Sequence, residues 1–145
     1  MGAPTVFAAP APFKGYGIDT VFNMSLSNTV YTFFNLSAGA FDTDSFWSAG
    51  NPTRLTIPAG VNKIRLSGSV YINSSTAQLR ARVYKNGGTI QQYIYGAYNV
   101  NMRNIPIDTG ILEVAEGDYF ELSLYQSSGA AATVYIPTLT LEVIE

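Results

Sequence analysis

The sequence contains no cysteine and no histidine. Without cysteine there is no disulfide, no thiolate nucleophile and no Cys-ligated zinc. Without histidine there is no imidazole-bound metal, no His-based triad and no side chain that ordinarily exchanges a proton near neutral pH. Charge is scarce too: Asp, Glu, Lys and Arg make up 12 % of the chain, about half the ~25 % usual for globular domains. Ten acids against eight bases give a net charge of −2. That leaves no basic stripe to neutralise phosphates and argues against a nucleic-acid partner. No apolar run approaches the ~20 residues of a membrane span, so no membrane insertion is expected. The basic leader and unbroken apolar stretch of a secretory signal are missing as well.

What is present points to strands. A chain of 145 residues suits one domain and can bury about 68–70 % of its unfolded surface, enough for a core without staples. Tyr (10) and Phe (8) are abundant, Thr and Val are frequent, and the helix formers Glu and Lys are few. A surface so poor in charge is covered by Ser, Thr, Asn, Gln and Tyr, or lies against other subunits. Weak self-repulsion makes association the default expectation.

Residues 2–13 (GAPTVFAAPAPF) carry no charge and hold Pro4, Pro10 and Pro12. Proline removes a backbone donor and excludes both a helix and a central strand here. The expectation is an extended arm over 1–18 with Val6, Phe7 and Phe13 as apolar anchors, followed by a single domain over 19–145. Segment 63–72 (KIRLSGSVYI) alternates, with Ile64, Leu66, Val70 and Ile72 on one side; segment 77–85 (AQLRARVYK) sets Leu79, Ala81 and Val83 against Arg80, Arg82 and Tyr84. Period two over this length means half-buried strands. Asn86-Gly87-Gly88 supplies the positive-φ residues of a hairpin turn into 89–95. Further strands are expected at 105–115, 118–126 and 133–144, with shorter ones at 30–35 and 54–57. Pro137 predicts a bulge or an edge. No window shows a convincing 3.6-residue period, so almost no helix is expected. Eight to ten strands with frequent turns indicate an all-β sandwich or barrel.

At this point several motifs resemble a known family. Phe41-Asp42-Thr43 with Phe46 and Trp47, then Leu55-Thr56-Ile57-Pro58-Ala59-Gly60 and the strand at 64–72, look like the first half of a C1q/TNF-like jelly roll. Val83-Tyr84-Lys85-Asn86-Gly87-Gly88 resembles that family's hairpin, Val114-Ala115-Glu116-Gly117-Asp118-Tyr119 its Gly-Asp turn, and 139–144 its closing strand. The likeness runs from about residue 29 onward. The chain has no collagen-like stalk and no cysteine. Its Asn/Ser/Thr/Gly-rich, His-free style is similar to C1q-like virion proteins of tailed bacteriophages. The resemblance implies a ten-stranded jelly-roll β-sandwich assembled as a homotrimer about a three-fold axis, with the strands at 63–72, 105–115 and 133–144 in its inner sheet. Tyr71, Ile107, Ile111, Tyr135 and Ile144 then become candidates to face neighbouring subunits, because such interfaces favour aromatics and exclude charge. Each of these residues can equally fill the core of one protomer.

Other motifs are weaker. Asp42-Thr43-Asp44 offers too few oxygens for Ca²⁺ and reads better as an Asx-type turn. Asn23, Asn35 and Asn73 each begin an N-x-S pattern, expected by chance in a chain rich in Asn and Ser. Segment 86–102 is uncharged and holds Gln91, Gln92, Tyr93, Tyr95 and Tyr98. That mixture suits a sugar site, a protein contact, or a plain solvated edge strand, so Gln92, Tyr93, Tyr95 and Tyr98 are candidate glycan or partner contacts. Glu113, Glu116, Asp118 and Glu121 lie close in sequence, but strand-end and turn positions explain them better than a pair of glycosidase carboxylates. No nucleophile elbow or P-loop pattern appears. No enzyme activity, cofactor or metal is therefore expected. The functional expectation is a virion protein on the particle surface. In the first form it is a trimeric decoration or cement protein held by its arm on the major capsid protein. In the alternative it is a receptor-binding knob on a fibre shaft or head spike, facing a host surface glycan.

Overall fold

The computed structural model describes residues 13–18, 22–72, 78–96 and 103–145. Among the described residues there is no helix. The strands are β1 (Gly15–Gly17), β2 (Phe22–Leu26), β3 (Thr32–Phe33), β4 (Phe41–Asp42), β5 (Leu55–Thr56), β6 (Lys63–Ile72), β7 (Gln78–Lys85), β8 (Gly88–Gly96), β9 (Arg103–Glu113), β10 (Tyr119–Gln126) and β11 (Ala132–Val143). They form two antiparallel sheets. One runs β4-β1-β11-β6-β9, with β2 also paired to β11; the other runs β3-β10-β7-β8, with β5 also paired to β10. The two sheets face each other as a jelly-roll β-sandwich.

The alternation read in the sequence builds the core. Ile64, Leu66, Val70 and Ile72 of β6 and Leu79, Ala81 and Val83 of β7 are buried between the sheets with Phe120, Leu122 and Leu124 of β10. Asn86 and Gly87 turn β7 into β8 at φ 52° and 82°, the positive values that a two-residue hairpin loop needs to match strand twist. The expected strands at 105–115, 118–126 and 133–144 correspond to β9, β10 and β11, and β6, β9 and β11 share the six-stranded sheet. β1 falls within the stretch expected as an arm. Gly15–Gly17 pair with β11 and β4, and Tyr16 drops its ring into the core, so the sheet starts before residue 19. A Gly-Tyr-Gly triplet has no hydrophobic period of its own; its partners make it a strand.

Two bulges decide which side chains leave the six-stranded sheet. In β11, Tyr135 faces Tyr71 and Thr138 faces Ser69, so Ile136 and Pro137 stand opposite Val70 alone, where Pro137 signalled an irregularity. In β9, Arg65 faces Ile111 and Ser67 faces Asp108, so Thr109 and Gly110 stand opposite Leu66. Gly110 takes φ 65°, a value glycine adopts without the penalty a Cβ brings. Each extra residue reverses the alternation beyond it.

Candidate functional site

The outward face of the six-stranded sheet has two unlike ends. At one end Tyr71 and Tyr135, opposite each other on β6 and β11, stack with ring centroids 4.8 Å apart and planes 12° from parallel. Beside them the hydroxyls of Ser69 and Thr138 are 3.4 Å apart. Ser67 and Thr140 continue the row as a cross-strand pair. These six side chains carry no charge, and Asp108 of β9 stands opposite Ser67 where the row ends. At the other end Arg65 forms a two-pronged ion pair with Asp108, and Lys63 Nζ lies 2.8 Å from Glu145. The Arg65 guanidinium, helped by the Gly110 N–H, holds the Asp108 carboxyl at about 2.

Of the five residues expected at a subunit contact, Tyr71 and Tyr135 come together on this face. Ile111 is on it as well, 63 % exposed beside Arg65. Ile107 is not: it is 2 % exposed and belongs to the core. Four residues apart on an unbroken strand, Ile107 and Ile111 would share a face. The bulge at Gly110 sends them to opposite sides, and the expectation for Ile107 is corrected accordingly. Ile144 lies past the end of β11 on the rim of an open groove of about 630 Å³, lined also by Phe13, Lys14, Val61 and Glu142. Phe13 packs edge-on against Phe41, 4.9 Å between centroids. The Phe41 ring covers Gly17 so closely that a Cβ there would come within 2.2 Å of it. Phe13, Phe41 and Ile144 thus leave an apolar rim exposed where the chain enters the domain. Val6 and Phe7 lie outside the described residues.

The segment expected to contact a glycan or partner divides. Tyr93 turns inward against the core, where its hydroxyl donates to the Asp108 carbonyl at 2.8 Å. Tyr93, half-buried, therefore lies on the opposite side of β8 from Gln92. Gln92 faces out, its Oε1 accepting from Arg82 Nε at 2.5 Å. Tyr95 pairs with Leu79 in the β7–β8 ladder. Tyr98 lies outside the described residues.

Gln92 belongs to a surface that the sequence did not announce. On the outward face of the five-stranded sheet, guanidinium groups lie over aromatic rings three times. Arg82 is over Tyr31 at 3.8 Å, Arg54 over Tyr119 at 4.0 Å and Arg80 over Tyr125 at 4.7 Å. Tyr31 and Tyr125 pack against each other at 4.9 Å, and Phe33 meets Tyr84 edge-on at 5.1 Å. Arg80 is held by Gln78 Oε1 at 2.8 Å and by the Tyr31 hydroxyl at 3.3 Å. Beneath this layer Glu121 is buried, accepting from Thr53 Oγ1 at 2.5 Å with Arg54 at 3.7 Å. The Arg-x-Arg-x-Tyr alternation of β7 was the only local trace, and alone it describes any solvated strand face.

Two further acids, Asp42 and Asp118, have structural partners. Asp42 accepts the N–H groups of Phe46 and Trp47 at 2.7 and 2.9 Å, closing the turn expected from Asp42-Thr43-Asp44. Asp118 accepts from Asn86 Nδ2 at 2.9 Å and the Ala115 N–H at 3.0 Å, with Lys85 at 3.2 Å. These contacts, the Asn86 amide foremost, draw its carboxyl below the usual range. Among the described residues no three acids gather in a way that could hold a metal ion.

No protein-family model matches the sequence, and no curated protein matches it. Solved structures do match. Murine APRIL superimposes with a TM-score of 0.52 at 14 % identity, covering 81 % of this chain and 98 % of that one. The globular domain of zebrafish complement 1qA protein gives 0.52 at 10 % identity, covering 88 % of this chain and 98 % of that one. The insecticidal delta-endotoxin Cry8Ea1 from Bacillus thuringiensis matches at 0.47 and 14 % identity; 85 % of this chain spans only 20 % of that larger one. The fold is thus a C1q/TNF-like jelly roll, as the sequence motifs implied.

Proposed function

We propose that the protein is a non-enzymatic structural protein of a tailed-bacteriophage virion, a homotrimer that decorates or cements the capsid. The observation that carries this reading is the uncharged end of the six-stranded sheet face, where Tyr71 and Tyr135 stack among Ser67, Ser69, Thr138 and Thr140. Copies related by a three-fold axis bring the same surface together, and like charges there would repel. Six uncharged side chains centred on two aromatic rings have the composition of a homo-oligomer interface. The trimer itself and the particle come from the resemblance to C1q-like virion proteins. The apolar rim of Phe13, Phe41 and Ile144 supports attachment through the N-terminal segment, because it continues the apolar character of Val6 and Phe7 onto the domain. The partner in this reading is the major capsid protein, and the location is the particle surface. A second reading, a receptor- or glycan-binding knob on a fibre shaft or head spike, draws support from the arginine–aromatic face.

Sedimentation tests the first reading. The wild type is expected to run at three times the 15.7 kDa of one chain. The Tyr71→Glu/Tyr135→Glu variant, which sets like charges against each other, is expected to run as a folded monomer. Removal of residues 1–12 is expected to leave the trimer intact and abolish its attachment to particles. A wild type that sediments as a single chain at micromolar concentration overturns the assembly, and normal attachment without residues 1–12 overturns the mode of docking.

A further inference from the structure

We propose that the outward face of the five-stranded sheet binds an acidic polysaccharide, whose carboxylates are received by Arg80 and Arg82. The site lies on the opposite sheet from the face assigned to assembly, so the two functions do not compete for surface.

Charge gives the first reason. The chain holds more acids than bases, and Arg54, Lys63, Arg65 and Lys85 each have a carboxylate within 4.0 Å. Arg80 and Arg82 have none among the described residues. Two guanidinium groups left without a counter-charge on a net-negative protein are complementary to an anion.

Preorganisation gives the second. Arg80 is tied to Gln78 and to the Tyr31 hydroxyl and lies over the Tyr125 ring. Arg82 is tied to Gln92 and lies over the Tyr31 ring. Side chains already ordered lose less entropy on binding. A guanidinium carries five N–H donors, more than these contacts use, so each group keeps donors for a carboxylate. Two positions apart on β7, the two side chains leave the backbone on one side from Cα atoms about 6.8 Å apart, which suits a ligand with repeated charges.

The setting selects a saccharide over a peptide. β7 is an interior strand, paired with β10 on one side and β8 on the other. Its backbone donors and acceptors are used, so an extended peptide cannot add to it as a further strand. Recognition here must come from side chains. Those present are the Gln92 amide, phenol hydroxyls and ring edges, which hydrogen-bond hydroxyls and pack against sugar C–H groups. An exposed apolar shoulder, Ile94 at 53 %, flanks Arg80 across the β7–β8 ladder.

The test is calorimetric titration of the full chain with polygalacturonate at about 150 mM salt, with neutral dextran and polyglutamate as comparators. Binding to polygalacturonate is expected, with none to dextran and much less to polyglutamate. Arg80→Gln/Arg82→Gln is expected to weaken binding about tenfold or more, and Arg82→Lys, which keeps the charge but loses the planar fork, at least about threefold. Thermal melting and sedimentation of the same samples show whether each variant folds and assembles, so a failed trimer is told apart from a failed site. Absence of polygalacturonate binding overturns the proposal. So does equal affinity for polyglutamate, or a folded double variant that binds as the wild type does.

Discussion

Gln126 is a primary amide sealed inside an apolar sandwich, with no exposed surface. Its Nε2 donates to the carbonyls of Leu26 at 3.1 Å and Ala130 at 2.8 Å, and its Oε1 accepts the Ser128 N–H at 2.7 Å. One side chain thereby satisfies three backbone groups, ties β2 to the end of β10 and shapes the turn at 127–131. A buried polar group left without a partner costs about 1–3 kcal/mol. Gln126→Leu has nearly the same volume and none of the hydrogen bonds, so it is expected to destabilise the fold by roughly 2–4 kcal/mol in urea unfolding. A loss below about 1 kcal/mol would mean that water takes over the three contacts. Asn or Gln in a strand is ordinarily read as a solvent-facing residue. Only the geometry of the neighbouring turn reveals that this one faces the core.

At the scale of the strand, the bulge in β9 is the device that sorts inward from outward residues. Gly110 sits at φ 65° with nothing within 4 Å of where a Cβ would be. A larger residue there meets conformational strain and no steric obstacle. Gly110→Val is therefore expected to cost about 1–2 kcal/mol, and Gly110→Asn less, since Asn tolerates that region better. Equal losses for the two variants in denaturant titrations would show that backbone strain is not the cause. The same strand marks how far the sequence could be read. β6 and β7 were legible within a residue because each places apolar side chains at alternate positions, Ile64, Leu66, Val70 and Ile72 in one and Leu79, Ala81 and Val83 in the other. β1, β2 and β4 were not, because short strands such as Gly15–Gly17 take their identity from partners distant in the chain. The orientation of Ile107 and Ile111 was half right, as simple alternation carries across a bulge with the wrong sign. The arginine–aromatic face was invisible for a related reason: Tyr31, Tyr125 and Arg80 meet only after β10 has paired with both β7 and β3.

For the whole molecule, the absence of histidine becomes a statement about pH. The resolved shifts of largest size lie outside the neutral range. Asp108 is lowered from 3.8 to about 2 by Arg65 first and the Gly110 N–H second. Burial raises Tyr16 from 10.0 to about 12, where its hydroxyl donates to the Ser37 carbonyl at 2.7 Å. Between about pH 2 and 4 the unfolded chain binds a proton at Asp108 that the folded chain refuses. That contribution to stability is complete above about pH 4 and disappears as pH falls through 2. Between about pH 10 and 12 the folded chain retains the Tyr16 proton that the unfolded chain releases, so stability there falls as pH rises. No side chain has an ordinary pKa between about 5 and 8. The melting temperature, followed by circular dichroism, is accordingly expected to stay level from about pH 5 to 9, with one limb descending on the acid side and another on the alkaline side. Asp108→Asn should make the acid limb shallower, leaving the part due to Asp118, and Tyr16→Phe should do the same for the alkaline limb, each without moving the other. A clear slope between about pH 6 and 8 would contradict this assignment. Arginine stays charged across the whole plateau, so the outward face of the five-stranded sheet keeps its charge wherever the sandwich keeps its stability, and acidic-polysaccharide binding should be as level with pH as the melting temperature, down to the point where the ligand's own carboxylates take up protons.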